Sequence, residues 1–206
     1  MEKPTKDHWE KIYGTNNETD FSWFQQYPRT SIDFINLFNF PKNAKVIDIG
    51  GGDSHLVDAL LELGYGNIYV LDISAKAIKR AKQRLGVKAN LVNWVVSDVT
   101  DFKSDIQFDL WHDHAAFHFL TTEIAVTKYG SIGSNNTISK GHLVVGTFSD
   151  SGPHKCSGLG IQRYSEVSMS TLFDKDFKRI KCLEENHLTP FDTRQNFLFC
   201  SFEKLM

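Results

Sequence analysis

The sequence predicts an α/β domain built on a mostly parallel sheet with helices on both faces. Three observations carry that prediction. Strand-like and helix-like segments alternate along the chain, which calls for parallel strands joined by crossover helices. The first clear strand, Lys45–Ile49 (KVIDI), runs straight into Gly50-Gly51-Gly52, a turn that lets a backbone pass close to a ligand before entering a helix. Two acids, Asp72 and Asp98, stand at the ends of the second and third strands, the edge where ligands of such sheets lie.

In chain order, residues 4–14 read as a polar helix with Trp9, Ile12 and Tyr13 as its apolar stripe. A turn-rich stretch, Gly14 to Asp20, leads into the aromatic run Phe21-Ser22-Trp23-Phe24. A short helix over Thr30 to Phe38 turns Ile32, Ile35 and Leu37/Phe38 inward and stops before Pro41. After the glycines a helix covers 54–63 and ends at Gly64; Asn67–Leu71 is the second strand. Ser74 caps a helix running to Leu85, which Gly86 stops. Asn90–Val96 and Phe108–Trp111 give the third and fourth strands. A helix near 122–129 and the segment GSIGSNNTISKG lead to a fifth strand, His142–Phe148, and two more strands are expected over about 177–184 and 195–203.

Composition sets bounds on function. The 206 residues suffice for one domain with a sizeable core, and 41% hydrophobic with 23% charged residues is a globular balance. No apolar run approaches ~20 residues, so no membrane-spanning helix is expected, and the charged start MEKPTKDHWEKIY lacks the apolar core of a secretory signal. A net charge of −2 with interspersed signs argues against nucleic acid as a partner. Lys76, Lys79, Arg80, Lys82 and Arg84 form a basic run whose spacing suits an exposed helix face. Cys156, Cys182 and Cys200 are too few and too scattered for a disulfide framework, and no CxxC pair suggests zinc; a reducing, cytoplasmic setting is expected.

The glycine loop narrows the ligand. A nicotinamide or flavin site would show GxGxxG, but Gly50-x-Gly52 is followed by Asp53-Ser54-His55. Asp48 also lies inside the strand end, two residues before Gly50. Negative charge there suits a pyrophosphate poorly and an amino-acid-bearing nucleoside well, since the carboxylate can accept from an ammonium group or orient the loop. Asp72, about 20 residues past the glycines, either caps the helix near Ser74 or accepts the ribose hydroxyls, and its distance from the loop decides for the ribose. Asp98 can accept from an adenine amino group while Val99 packs on the ring; otherwise it is a turn aspartate.

The order of these parts resembles the class I S-adenosylmethionine-dependent methyltransferases. Their first motif, Asp-x-Gly-x-Gly, is matched by Asp48, Gly50 and Gly52, their second acid by Asp72 and their third-strand acid by Asp98. The resemblance implies a Rossmann-like sheet of seven strands, mostly parallel with an antiparallel last strand, and S-adenosylmethionine as cofactor with S-adenosylhomocysteine as product. Trp9-x-x-x-Tyr13 and Ser22-Trp23-Phe24 extend the likeness to bacterial homologues of the small protein-lysine methyltransferases acting on citrate synthase and elongation factor 1A. It implies that an N-terminal helix and aromatic segment fold over the cofactor, with Tyr13, Trp23, Phe24 and Gln25 at the matching positions. Aromatic faces there would exclude water and attract the sulfonium cation; the same rings could instead be plain core. The implied cofactor set is Tyr13, Trp23, Gln25, Asp48, Gly50, Gly51, Gly52, Asp72, Ile73, Asp98, Val99 and His112. With no repeat or linker, 1–206 is expected to be one methyltransferase domain: a helical lid over 1–40, a cofactor-binding core over 44–150, and a substrate loop with closing strands over 151–206.

After the fourth strand comes Trp111-His112-Asp113-His114-Ala115-Ala116-Phe117-His118. In the resembled superfamily this stretch faces the transferred methyl. The Asp/Asn-Pro-Pro-aromatic signature of nucleic-acid amino methylation is absent. The Asp/Glu-Lys-Gly-Thr of lysine-methylating relatives is replaced by His112-Asp113-His114-Ala115, so a small-molecule amine, thiol or hydroxyl stands beside a protein lysine as acceptor. Methyl transfer needs a positioned nucleophile, and a base only when that nucleophile arrives protonated. His112, His114 or His118 could take the proton, with Asp113 orienting a histidine or binding a substrate ammonium. Those donor types also suit a metal, but a strand end points alternate side chains apart, so none is expected. The glycine-rich segment 149–160 reads as a mobile substrate loop in which Cys156 is incidental; Arg163 and Tyr164 beyond it could meet an anionic substrate. The expected partner is a protein or small-molecule methyl acceptor, and the expected state a monomer or homodimer. Two rival readings remain: a nicotinamide-dependent oxidoreductase, and a module that binds the cofactor without turnover.

Overall fold

A computed structural model describes residues 6–206. The element order is α1 (Lys6–Thr15), α2 (Arg29–Leu37), β1 (Lys45–Ile49), α3 (Leu56–Glu62), β2 (Asn67–Asp72), α4 (Ala75–Leu85), β3 (Val92–Val96), β4 (Phe108–His114), α5 (Glu123–Asn136), β5 (Thr137–Phe148), β6 (Lys155–Cys156), β7 (Leu159–Gly160), α6 (Glu166–Phe173), β8 (Phe177–Leu188) and β9 (Arg194–Lys204). The main sheet has seven strands in the order β3-β2-β1-β4-β5-β9-β8. β1 pairs in parallel with β2 on one side and with β4 on the other, so strand order reverses between β1 and β4. β9 runs antiparallel to both β5 and β8, which is the antiparallel last strand expected from the sequence.

Strand alternation builds a core on each face. Val46, Val70, Leu110 and Val144 pack with Leu56 and Leu60 of α3 and with Ile32 and Ile35 of α2. Ile47, Ile49, Trp111 and Leu143 pack on the opposite face with Tyr129, Met169 and Phe173. Buried on both sides, the strands read as near-continuous apolar runs, as parallel sheets require.

Three departures from the sequence expectations have physical causes. α5 continues through Gly130 and Gly133, which the sequence suggests as loop, and β5 begins at Thr137 rather than His142. Two glycines cost a helix about 1 kcal/mol each. Here Tyr129, Gly133 and Asn136 share one buried face, and Gly133 faces the Trp111 indole. The segment 149–160 contains the hairpin β6–β7 with Cys156 buried in it, and α6 follows, capped by Ser165 accepting from Ser168 N. Cys182 and Cys200 are directly opposed on β8 and β9 and form a disulfide, which corrects the expectation that the three thiols stand apart. Their spacing hid the pairing because hairpin register, not sequence distance, brings them together. The start of the expected first helix, residues 4 and 5, lies outside the described residues. No described helix is long and apolar enough to cross a membrane.

Candidate functional site

The crevice at the β1/β4 reversal is the candidate site, where sheets of this kind bind ligands. β1 ends in Gly50, whose φ of 67° lies in the left-handed region and whose N–H donates to Leu71 O at 2.7 Å. A Cβ on Gly50 would fall 2.5 Å from the Ala116 Cβ. One on Gly51 would strike the Asp48 carboxylate, and one on Gly52 the Asp72 carboxylate and the Ala77 Cβ. The glycines therefore serve close packing among the loop, β2 and the turn after β4.

A cleft with about 790 Å³ of space, partly open to solvent, runs along these strand ends. Gly50, Asp72, Ile73, Asp98 and Val99 line its floor, and Ala116, Phe119 and Leu120 its far wall. Asp72 Oδ1 accepts from Ser74 N at 2.7 Å, so the same carboxylate ends β2 and faces the cleft. Burial pushes its pKa up to about 7, against backbone hydrogen bonds from Ser74 and Gly52 that lower it, with the charges of Asp48 and Glu10 adding to the rise. Asp98 Oδ1 accepts from Thr100 N and Thr100 Oγ1, both at 2.8 Å.

The segment ahead of the sheet forms the roof. Trp9, Tyr13 and Trp23 line the cleft; Trp9 meets Phe119 edge-on at 4.9 Å and Trp23 stacks on Phe21 at 4.7 Å. Polar clasps hold this roof from both sides. Glu10 accepts from Ala75 N at 2.6 Å, and Arg80 donates to the carbonyls of Tyr13 and Asn16 at 3.3 and 2.7 Å. Arg80 and Arg84 also engage Asp53, just past the glycine loop, at 3.0 and 2.9 Å. From the other side, His187 Nε2 lies 2.8 Å from Ser22 O, and Gln195 donates to Ser22 Oγ at 3.2 Å. Arg80 and Arg84, expected on an exposed helix face, are thus half-buried and turned to the site. Their i, i+4 spacing on α4 was the available signal; nothing local marked Glu10, Asp53 or His187.

A second cavity adjoins the first, lined by Glu18, Phe24, Gln25, Asp53, Ser54 and His55 among others. Tyr13, Trp23, Gly50, His114 and Ala115 line both. Tyr13 keeps its hydroxyl proton, because burial foremost, and then the Asp72 and Asp53 charges, hold its pKa well above the usual phenol value.

Of the cofactor residues expected from the sequence, Tyr13, Trp23, Gly50, Asp72, Ile73, Asp98 and Val99 line the first cleft, and Gln25 lines the second cavity. Asp48, Gly51 and Gly52 line neither cavity. Among the histidines of the fourth strand only His114 reaches the cavities. Burial, reinforced by His112, His187 and His118, pushes its pKa down to about 3, so it is neutral. Its Nε2 is sealed without a partner, beside the Phe197 and Phe199 rings. His112 sits beneath the glycine loop, Nδ1 2.7 Å from Asp48 Oδ1 and Nε2 2.9 Å from Ser31 Oγ. Asp113 shapes the turn after β4: it accepts from the N–H groups of Ala116 and Phe117 at 3.1 and 3.0 Å and from the Tyr129 hydroxyl at 2.9 Å. His118 stacks on Phe148 at 4.5 Å with neither ring nitrogen bonded, and burial pushes its pKa down to about 3.

A buried carboxylate facing a cleft with only backbone donors, a glycine where a Cβ would block the turn, and aromatic walls together fit an S-adenosyl group. Residues 46–129 match the family model described as a methyltransferase domain. Over those residues the chain matches a methyltransferase domain, on a fold shared with S-adenosylmethionine-dependent methyltransferases of known structure. It is similar to the mouse eEF1A lysine and N-terminal methyltransferase, 30% identical over 118 residues, a stretch covering 57% of this chain and 17% of that protein. This chain therefore spans a small part of such relatives. Among solved structures, the chain resembles the N-methyltransferase NodS from Bradyrhizobium japonicum in complex with S-adenosylhomocysteine: TM-score 0.74, 16% identity, 98% of this chain and 99% of that one. It also resembles the Burkholderia thailandensis 1,6-didemethyltoxoflavin-N1-methyltransferase with S-adenosylhomocysteine: TM-score 0.68, 16% identity, 98% and 84% of the two chains. These likenesses establish the fold.

Proposed function

We propose that the chain transfers the methyl group of S-adenosylmethionine to a nucleophilic N, O or S atom of a lysine-like protein side chain or a small molecule. The observation that carries this reading is the meeting of the two cavities at Tyr13, Trp23, Gly50, His114 and Ala115. Bound cofactor supplies an electrophilic methyl group on a sulfonium. Asp72 accepts from the ribose hydroxyls, Asp98 and Val99 receive the adenine, and Gly50 lets the backbone approach. Tyr13 and Trp23 shield the junction from water, so a nucleophile entering from the second cavity meets the methyl group in a dry site. The names of the similar proteins favour an amine nitrogen among the three atoms.

In this reading the chain is one domain, and the segment ahead of β1 acts as a lid over both ligands. The protein works as a monomer or homodimer, which sedimentation checks. A cytoplasmic setting is part of the proposal; the Cys182–Cys200 bridge weighs against it, and thiol titration of protein purified from its source decides. The enzymatic reading is tested by calorimetry with S-adenosylhomocysteine and NAD, followed by labelled methyl transfer into a size-fractionated lysate. Binding of the first and label in any fraction support it. Binding of NAD instead, or cofactor binding without transfer, sinks it.

A further inference from the structure

The four residues of the fourth-strand region that could handle a proton are otherwise engaged. His112 is tied to Asp48 and Ser31, Asp113 to the following turn and Tyr129. His118 is sealed in the core, and His114 has no carboxylate partner among the described residues. Of the two histidines that line the cavities, only His55 has such a partner. Its Nε2 lies 3.4 Å from Glu18 Oε2, and both residues line the second cavity. The His55 ring stands edge-on to Phe24 at 5.5 Å, which fixes its plane.

We propose that His55, oriented by Glu18, takes the proton of an acceptor that enters the second cavity protonated. This rests on the methyl-transfer reading above. A histidine whose one nitrogen is held by a carboxylate presents the other to a ligand, the arrangement of many general bases. The 3.4 Å separation is long for a hydrogen bond, as such pairs often are before substrate binds. In the step, the acceptor's proton moves to the His55 Nδ1. The freed electron pair forms a bond to the methyl carbon as the carbon–sulfur bond breaks with its electrons on sulfur, and the proton on His55 then passes to solvent. His55 is the catalytic residue and Glu18 the positioning residue.

The charged and titratable surroundings support that division. Glu18 also lies 3.7 Å from Arg84, which is mainly engaged by Asp53 and Asp58 at 2.9 and 2.8 Å. Arg80 pairs with Asp53 at 3.0 Å. Across the cavity stand Tyr13, which keeps its proton, and the neutral His114. Asp53, the other carboxylate lining this cavity, is neutralised by two guanidinium groups, which leaves Glu18 as the acid that can serve an imidazole.

The test compares the intact protein with His55→Gln and Glu18→Gln. Tritiated S-adenosylmethionine and a heat-inactivated lysate are the probes across pH 5.5 to 9 on the order of single-site titration. S-adenosylhomocysteine affinity and the separate kcat and KM values are read alongside. The proposal expects wild-type transfer to fall on the acid side. His55→Gln should lose about 100-fold or more in rate and with it that acid limb. Glu18→Gln should lower kcat with KM for the acceptor little changed, because the ring loses the carboxylate that orients it. Cofactor-product affinity should stay within about twofold in both variants, well under the tenfold that 1.4 kcal/mol represents. Transfer by His55→Gln near the wild-type rate with an unchanged pH profile overturns the proposal and leaves the methyl-transfer reading standing. A loss of S-adenosylhomocysteine affinity that parallels the loss of rate also overturns it, placing the pair under the cofactor instead. Wild-type protein that binds S-adenosylhomocysteine but labels nothing overturns both.

Discussion

Asp72 makes cofactor binding depend on pH in a direction that follows from its burial. In the free protein its carboxyl pKa is raised to about 7 by burial foremost, so the group protonates as pH falls through neutrality. Ribose hydroxyls donate, and an ionised carboxylate accepts them best. Binding therefore favours the charged form and expels a proton wherever the free protein holds one. Affinity for S-adenosylhomocysteine is expected to be flat above about pH 7 and to fall below it by up to about tenfold per pH unit. Asp72→Asn removes the titrating group and with it the slope. Its oxygen can still accept from Ser74 N, as Asp72 Oδ1 does at 2.7 Å. The amide that replaces the other oxygen faces the Gly52 N–H, donor against donor. At pH 8 the lost charge-assisted hydrogen bonds should cost about 1.5–3 kcal/mol, or roughly 10- to 150-fold in Kd. Calorimetry in buffers of different ionisation enthalpy, from pH 5.5 to 8, measures affinity and proton release together. A pH-independent wild-type affinity, joined to an unchanged Kd in the variant, would remove Asp72 from the ribose.

Three further outcomes are expected. Gly52→Val should abolish S-adenosylhomocysteine binding while far-UV circular dichroism persists, because its side chain meets the Asp72 carboxylate and the Ala77 Cβ; normal binding refutes the loop assignment. His112→Ala should destabilise the fold by about 3–5 kcal/mol, since it strands the buried Asp48 carboxylate, and an unchanged denaturation midpoint with lost methyl transfer would instead return His112 to the reaction. Hydrogen exchange over residues 9–25 should slow when S-adenosylhomocysteine binds, and a chain lacking residues 1–28 should stay folded but bind it more weakly; equal, strong protection with and without the ligand makes the segment permanent core.

The sheet was legible because its signals are local. KVIDI before three glycines, Ser74 ahead of an amphipathic helix and QNFLFCSFE as a closing strand each specify their element within a few residues. α5 was legible only in its first half, since Gly130 and Gly133 read as breakers until their neighbours, Phe173 and Trp111, are known. The cofactor side of the site followed from strand ends, which sequence periodicity locates. The acceptor side did not. Glu18 meets His55, and Ser22 meets His187, across 37 and 165 residues, and no periodicity encodes such a meeting. The histidines of β4 attracted attention by their density, yet strand alternation sends His112 and His114 to one face and Asp113 to the other, and depth then separates the two histidines.

The buried titratable groups divide into two kinds, and the division locates the ligand better than residue type does. Asp113 is fully buried, but two N–H groups and the Tyr129 hydroxyl satisfy it. Asp48 has His112 on one oxygen at 2.7 Å. Asp113 is thus completed by other parts of the fold; Asp48 is held on that one side, its Oδ2 buried without a partner, and it borders neither cavity. Asp72 is as deeply placed, yet only backbone donors reach it, no cation does among the described residues, and it borders open space. Because its pKa is raised, Asp72 lowers the stability of the folded state progressively as pH climbs from 3.8 toward about 7, and the full cost remains above that. A fold that only needed to end β2 could use the Ser74 cap and a neutral side chain. The cost is relieved when donors arrive from outside, so a carboxylate held in this state marks where a hydroxyl-bearing ligand completes the protein.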